Sequence, residues 1–283
     1  MFGPLEASMR SPDLLPIRFD PASAPWRSGG LLPAGTDSSA AGQQPQERTA
    51  ELYRDRSGQV GAGLWEVRGG ATNRSLLADR ELFLLLLPAS SAGATLTLTP
   101  DAGGDPVGVE RGQGVILPRG GRHSWRQPPG STLVLAYLYF ADDAAPSEPA
   151  GPAVACTGAE AAPPVDTARS DTSRYIPPVP RQHMRLLFTD PSQQFLSVLW
   201  DTTTMHTRPL PHPGNPPCPN GQIELAFLTA GACTIVNGDG VPSDFVAGEA
   251  YLVPRGMTYS WHSEGFTRKI AANFRPRLTS TGT

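Results

Sequence analysis

Gly112-Gln-Gly-Val-Ile-Leu-Pro-Arg-Gly-Gly-Arg-His-Ser-Trp125 returns 136 positions later as Gly248-Glu-Ala-Tyr-Leu-Val-Pro-Arg-Gly-Met-Thr-Tyr-Ser-Trp261. One unit therefore occurs twice in the chain. Two further landmarks recur in the same order: Leu64-Trp65-Glu66 answers Leu199-Trp200-Asp201, and Glu81-Leu-Phe-Leu-Leu answers Glu224-Leu-Ala-Phe-Leu. An ordered series of matches marks an internal duplication.

Each copy of the opening stretch reads as a strand bounded at both ends. Gly248 supplies a positive φ and Ala250 to Val253 run extended. Pro254 cannot continue a ladder, and Gly256 lets the chain reverse. Tyr259, or His123 in the first copy, then opens the return strand, where alternation puts Tyr259 and Trp261 on one face and Ser260 and His262 on the other.

Outward from the motif, short apolar runs split by turn residues fill Val60 to Phe140 and again Arg185 to Phe274. This is the spacing of an all-β sandwich or barrel, and no helix of any length is demanded. Residues 1–59 are rich in Pro, Gly, Ser and Ala and read as a partly irregular arm, with a polar piece around Gln44 to Arg56 open to a short helix or a strand lead-in. A Pro/Ala-rich linker is expected over 141–184, the second barrel over 185–276 and a tail over 277–283, with the first, degenerate barrel at 60–140. The arm is placed to cover an exposed edge strand or to swap between subunits.

The 283 residues carry a formal charge of −3 and a single lysine, Lys269, while the arginines are scattered. No basic stripe suits a phosphate backbone, so nucleic acid is excluded as an expected partner. Pro4, Glu6, Pro12 and Asp13 interrupt any leader-like apolar run, and no stretch approaches the roughly 20 apolar residues that span a bilayer. With three cysteines and no CxxC, a cytoplasmic, soluble protein without a membrane partner is expected.

The repeated glycine, five residues and Pro-x-Gly resemble the second motif of the cupin superfamily, and Glu224, six residues and Gly231 resemble the end of its first motif. The second unit, with Gly231, Asp239-Gly240, Gly248, Pro254, Gly256, Trp261 and Arg268-Lys269, is most similar to the subgroup of ethanolamine-utilisation and ureidoglycine-aminohydrolase-like proteins. The resemblance implies two tandem jelly-roll barrels, a small-molecule ligand, and a monomer or homodimer. Metal-dependent cupins hold their ion with two histidines and a glutamate of the first motif and a histidine of the second. Here those positions fall on Cys218, Asn220, Glu224 and Tyr259 in the second unit, and on Ser75, Leu77, Glu81 and His123 in the first.

At most one divalent metal is expected, in the second barrel, held by Glu224 with His212 and Cys218. Glu224 is the strongest chemical candidate, because a carboxylate opening the apolar run Leu225 to Leu228 needs a partner or a role if it points inward. An enzyme would use Glu224 as general acid or base, Tyr259 as hydrogen-bond donor and His212 to complete the site. Trp261, Cys218, Asn220, His206, His123 and Trp125 are candidate substrate contacts, although the paired recurrence of the tryptophans equally fits core packing. The expected chemistry is that of a lyase, isomerase or hydrolase acting on a small polar metabolite. The competing reading is a non-catalytic bicupin that binds a small molecule or a protein partner.

Overall fold

The computed structural model describes residues 14–31, 46–69, 74–101, 103–141, 152–157, 172–209 and 222–275. His212, Cys218 and Asn220 lie outside them. Among the described residues the only helical piece is a single turn at Thr172–Arg174, and everything else regular is antiparallel β-structure.

Two large sheets carry the fold. One runs, in spatial order, Val154–Cys156, Gly114–Leu117, Glu81–Leu86, Thr132–Phe140, Val60–Arg68, Gln46–Arg54 and Arg27–Ser28. The other runs Ile17–Arg18, Ala250–Val253, Ile223–Ala230, Thr267–Phe274, Phe195–Thr202 and Gln182–Thr189, so the order of equivalent strands is the same. Each large sheet is closed by a smaller one, of four strands around Arg122–Arg126 and of five around Tyr259–Ser263.

Alternation gives each large sheet two buried faces. In the first copy Trp65, Leu82, Leu84, Leu86, Leu135 and Tyr137 point into their own barrel. In the second, Val198, Ala226, Leu228, Tyr251, Trp261 and Ala271 do the same. The opposite faces, with Leu64, Phe83 and Phe140 from one sheet and Leu199, Phe227 and Phe274 from the other, form one continuous core between the barrels. Phe140 and Phe274 meet there with ring centroids 4.6 Å apart.

The duplication reaches further back than the apolar runs suggest. Gln46–Arg54 is a strand of the first large sheet and matches Gln182–Thr189, and both carry a bulge at the same place, between Glu51 and Tyr53 and between Leu186 and Phe188. Each is joined to the next strand by the same aspartate-anchored turn. Asp55 Oδ1 accepts from the Val60 amide at 3.1 Å, and Asp190 Oδ1 from the Phe195 amide at 2.7 Å. Gly58 and Gln193 occupy equivalent positive-φ positions in these turns, at 74° and 60°.

The segments that precede each unit cross over. Ile17 of the N-terminal arm pairs with Leu252 of the second barrel, while Val154 of the linker pairs with Ile116 of the first, the matching position. Each barrel's edge is thus covered by the lead-in of the other.

The register corrects one equivalence drawn from sequence. Glu224 lies opposite Val253 and Asn273; in the first copy the residue opposite Leu117 and Tyr139 is Leu82, not Glu81. Glu81 matches Ile223 and faces the seam between barrels. The sequence match was drawn to the visible acid, and a one-residue slip reverses the face.

A Cβ at Gly63 would lie 2.1 Å from the Ala50 carbonyl oxygen and 2.7 Å from the Tyr137 hydroxyl, so Gly63→Ala is expected to cost about 1–3 kcal/mol, read by denaturant unfolding. Burial, reinforced by Asp190, pushes the Glu81 carboxyl up to about 7, against the Arg119 amide that favours its ionised form. A carboxyl raised in this way stabilises the fold fully below its ordinary range near 4.5, and that stability is lost as pH rises through about 7. Glu81→Gln is therefore expected to raise Tm at pH 8, roughly 2–4 °C for each kcal/mol recovered, and to leave Tm at pH 5 nearly unchanged.

Candidate functional site

The two barrel interiors are built around matched tryptophan pairs. Trp65 and Trp125 sit with centroids 5.2 Å apart, and Trp200 and Trp261 with centroids 5.8 Å apart, edge to face. Trp65 Nε1 donates to Glu47 and Trp200 Nε1 donates to Gln182, the equivalent position, each at 3.1 Å.

What lies between the indoles differs. In the first barrel the residue paired with Trp65 is Leu135; in the second, the residue paired with Trp200 is Lys269. The chain's one lysine thus points into the barrel rather than outward, with its ammonium 5.0 Å from the ring centroids of both Trp200 and Trp261. Lys269 Nζ donates to Glu224 Oε1 at 2.6 Å, and the two side chains are 10% and 15% exposed. The Glu224–Lys269 pair therefore stands where the sister barrel has Leu82 and Leu135, both fully buried.

The polar lining extends beyond the pair. In the first barrel Trp125 Nε1 donates to Gln127 Oε1 at 3.0 Å. The equivalent of Gln127 is Ser263, too short to reach, and both Trp261 Nε1 and Ser263 Oγ are left buried without a hydrogen-bond partner. Tyr251 is fully buried with its hydroxyl likewise unmatched, the Cys233 thiol being its near neighbour. Burial pushes the Cys233 thiol up to about 12, which keeps it protonated and removes it as a nucleophile. Tyr259 packs against the same core, and Gln222 donates to Asn273 at the end where Glu224 enters.

Space is redistributed as well. Tyr137 and Tyr139 fill the first barrel opposite Gly63 and Gly61, whereas the second places Ala271 and Asn273 opposite Val198 and Leu196. The first interior is packed with large apolar groups, and the second keeps smaller and polar ones at the Glu224 end. A groove of about 550 Å³ lies elsewhere, between the arm and both barrels, lined by Arg18, Asp20, Pro88 and Glu249. It touches none of these groups.

Of the candidate site residues named from sequence, Glu224, Tyr259 and Trp261 share the second interior, together with Lys269, Trp200 and Tyr251, which are not among those candidates. From sequence the Arg268-Lys269 pair reads as serving the last strand's exposed face or a salt bridge; Lys269 makes the salt bridge, but on the inward face. His206 does not join them: it pairs across strands with His262, whose neighbour Trp261 takes the inward side. His123 and Trp125 point into the first barrel, with His123 buried, its Nδ1 unpartnered and its pKa lowered chiefly by burial.

The metal implied by a cupin-like barrel does not fit the groups described at Glu224. An ammonium already occupies the cationic side of that carboxylate, and no cluster of three metal-ligating side chains occurs among the described residues. Glu81 and His123 cannot act together in the first barrel, because they lie on opposite faces of its wall.

Comparison with models of known protein families finds no match, and no curated protein matches the sequence. Solved structures do resemble the chain. A protein of unknown function of the DUF861 family from Pseudomonas syringae pv. tomato str. DC3000 superposes with a TM-score of 0.64 at 21% identity, covering 91% of this chain and 98% of its own. A cupin 2 conserved barrel domain protein from Leptotrichia buccalis superposes with a TM-score of 0.51 at 10% identity, covering 83% of this chain and 91% of its own. With two strand-matched barrels on one continuous core, the architecture is that of tandem cupin jelly rolls.

Proposed function

We propose that the second barrel acts on a small polar metabolite bearing a carboxylate or polarised carbonyl. Lys269 holds the negatively charged oxygen, and Glu224 serves as general acid or base. One comparison carries the reading: the same scaffold is filled at the equivalent places by Leu82 and Leu135, so folding does not require the Glu224–Lys269 pair.

Burying an ion pair costs desolvation that its attraction only partly repays, and an apolar replacement of similar size is commonly neutral or stabilising. A pair retained at that cost, beside the unsatisfied Trp261 Nε1 and Ser263 Oγ, suits an incoming oxygen-rich ligand. Trp200 and Trp261 would offer the ligand's apolar carbons flat faces, and Tyr259 a hydroxyl. The chemistry such a set supports is proton transfer next to a stabilised anion, the common element of lyase, isomerase and hydrolase steps. The alternative, a bicupin that binds a small molecule without turnover, is favoured by one feature: carboxylate and ammonium neutralise each other at 2.6 Å, leaving neither poised until a ligand separates them.

The stability side is direct. Glu224→Leu or Lys269→Leu alone strands a buried charge and is expected to cost about 3–5 kcal/mol, whereas the double variant should unfold at or above the wild-type midpoint. A double variant as unstable as the worse single one would make the pair structural.

The functional side uses a thermal-shift screen of small mono- and dicarboxylates, hydroxy acids and keto acids. A hit is expected to lose binding by at least about tenfold in Lys269→Met, and Glu224→Gln should keep binding but lose turnover of the same compound. Binding retained in Lys269→Met would overturn the assignment; turnover unchanged in Glu224→Gln would leave only the binding reading.

A further inference from the structure

On the outer side of the five-stranded sheet the strands Met205–Thr207 and Tyr259–Ser263 pair with His206 directly opposite His262. Trp261 turns into the barrel, so its neighbour His262 faces outward. The two imidazoles bring their Nδ1 atoms to 3.1 Å, with rings tilted 46°. Their outer nitrogens are also engaged. His206 Nε2 lies 3.1 Å from Glu264 Oε1, and His262 Nε2 lies 2.9 Å from Ser260 Oγ.

These partners constrain the tautomers. A carboxylate only accepts, so neutral His206 carries its hydrogen on Nε2 and presents a bare lone pair at Nδ1. A serine hydroxyl donates or accepts. With Ser260 accepting, His262 also carries its hydrogen on Nε2, and two lone pairs face one gap. With Ser260 donating, a single hydrogen on His262 Nδ1 fills that gap. Going from one state to the other moves one hydrogen between the nitrogens of His262 and turns a hydroxyl, with no heavy atom displaced.

We propose that His206 and His262 form a chelate for a divalent transition-metal ion, separate from the barrel interior and on the opposite face of its wall. Two imidazole nitrogens bound at about 2.0–2.1 Å to one ion, at close to a right angle, stand about 3 Å apart, and the observed 3.1 Å matches. The carboxylate of Glu264 and the hydroxyl of Ser260 on the far nitrogens are the outer contacts that orient metal-bound histidines and raise their basicity. Two neutral imidazoles without thiolate select borderline ions, with Cu2+ held more tightly than Ni2+ or Zn2+. The His206 side chain is 26% exposed, which leaves the remaining coordination positions open to water or to a donor from outside.

The test titrates Cu2+, Ni2+ and Zn2+ separately into the tag-free full-length protein, followed by calorimetry and, for Cu2+, by electron paramagnetic resonance. One equivalent of Cu2+ with splitting from two nitrogens is expected. His206→Ala and His262→Ala should each weaken binding by at least about tenfold, and Glu264→Gln by about tenfold through the outer contact. Should either alanine variant fail to fold, judged by its apo melting temperature, His206→Asn and His262→Gln take its place. His212→Ala combined with Cys218→Ser is expected to leave the Cu2+ affinity unchanged. No stoichiometric Cu2+, a spectrum with fewer than two nitrogens, or binding that survives loss of His206 and His262 but vanishes with His212 and Cys218 would overturn the proposal.

Discussion

Burial of both faces of the two large sheets is the constraint on which everything else rests. Every second residue of Glu81–Leu86, Thr132–Phe140, Ile223–Ala230 and Thr267–Phe274 looks into its own barrel, and the others look into the shared seam. A slip of one residue in any of these strands would drive a seam side chain into a barrel, so the register is held from both sides. That is why Glu224 and Lys269 meet inside one barrel, and why Glu81 faces the seam instead of the other interior. The crossed pairing of Ile17 with Leu252 and of Val154 with Ile116 binds the same two sheets by their lead-in segments, so the halves are joined by backbone as well as by packing.

Within that frame the duplicated interiors diverge at few places. The indoles and their hydrogen bonds to the first strand are kept in both. Leu82 and Leu135 against Glu224 and Lys269, and Gln127 against Ser263, account for the polar contrast; Tyr137 and Tyr139 against Ala271 and Asn273 account for the difference in filling. The lysine does more than neutralise an acid. Held 5.0 Å from two indole faces, its charge keeps favourable contacts apart from the carboxylate, so separating the pair is less costly here than in an aliphatic pocket.

The repeated Pro-x-Gly stretch made the all-β duplication legible, because turn glycines and a chain-stopping proline encode local geometry that period and spacing reveal. Glu224 was legible too, as an acid at the head of an apolar run. Lys269 was hidden, since its inward direction depends on which neighbour it pairs with across the sheet, and pairing is non-local. The false match of Glu81 to Glu224 has the same origin: residue identity outvoted register. Gln46–Arg54 was open to a short helix or a strand lead-in, and its match to Gln182–Thr189, like the aspartate turns at Asp55 and Asp190, stayed hidden because this part of the repeat is polar and short, visible only once the hydrogen bonds are seen to coincide.

A barrel that carries a buried ion pair and unmatched donors is a less stable object than one lined by leucine and tyrosine. Net stability in a domain is a small difference between large terms, so such an interior needs support from elsewhere. The first barrel supplies it. Its own core is apolar and filled, and through Phe140, Leu64 and Phe83 it also buries the outer face of the second barrel's sheet. A duplication of this kind lets one copy hold the fold while the other carries polar groups that cost stability. The sister barrel's lack of matching charges is thus the structural condition that lets Glu224 and Lys269 persist.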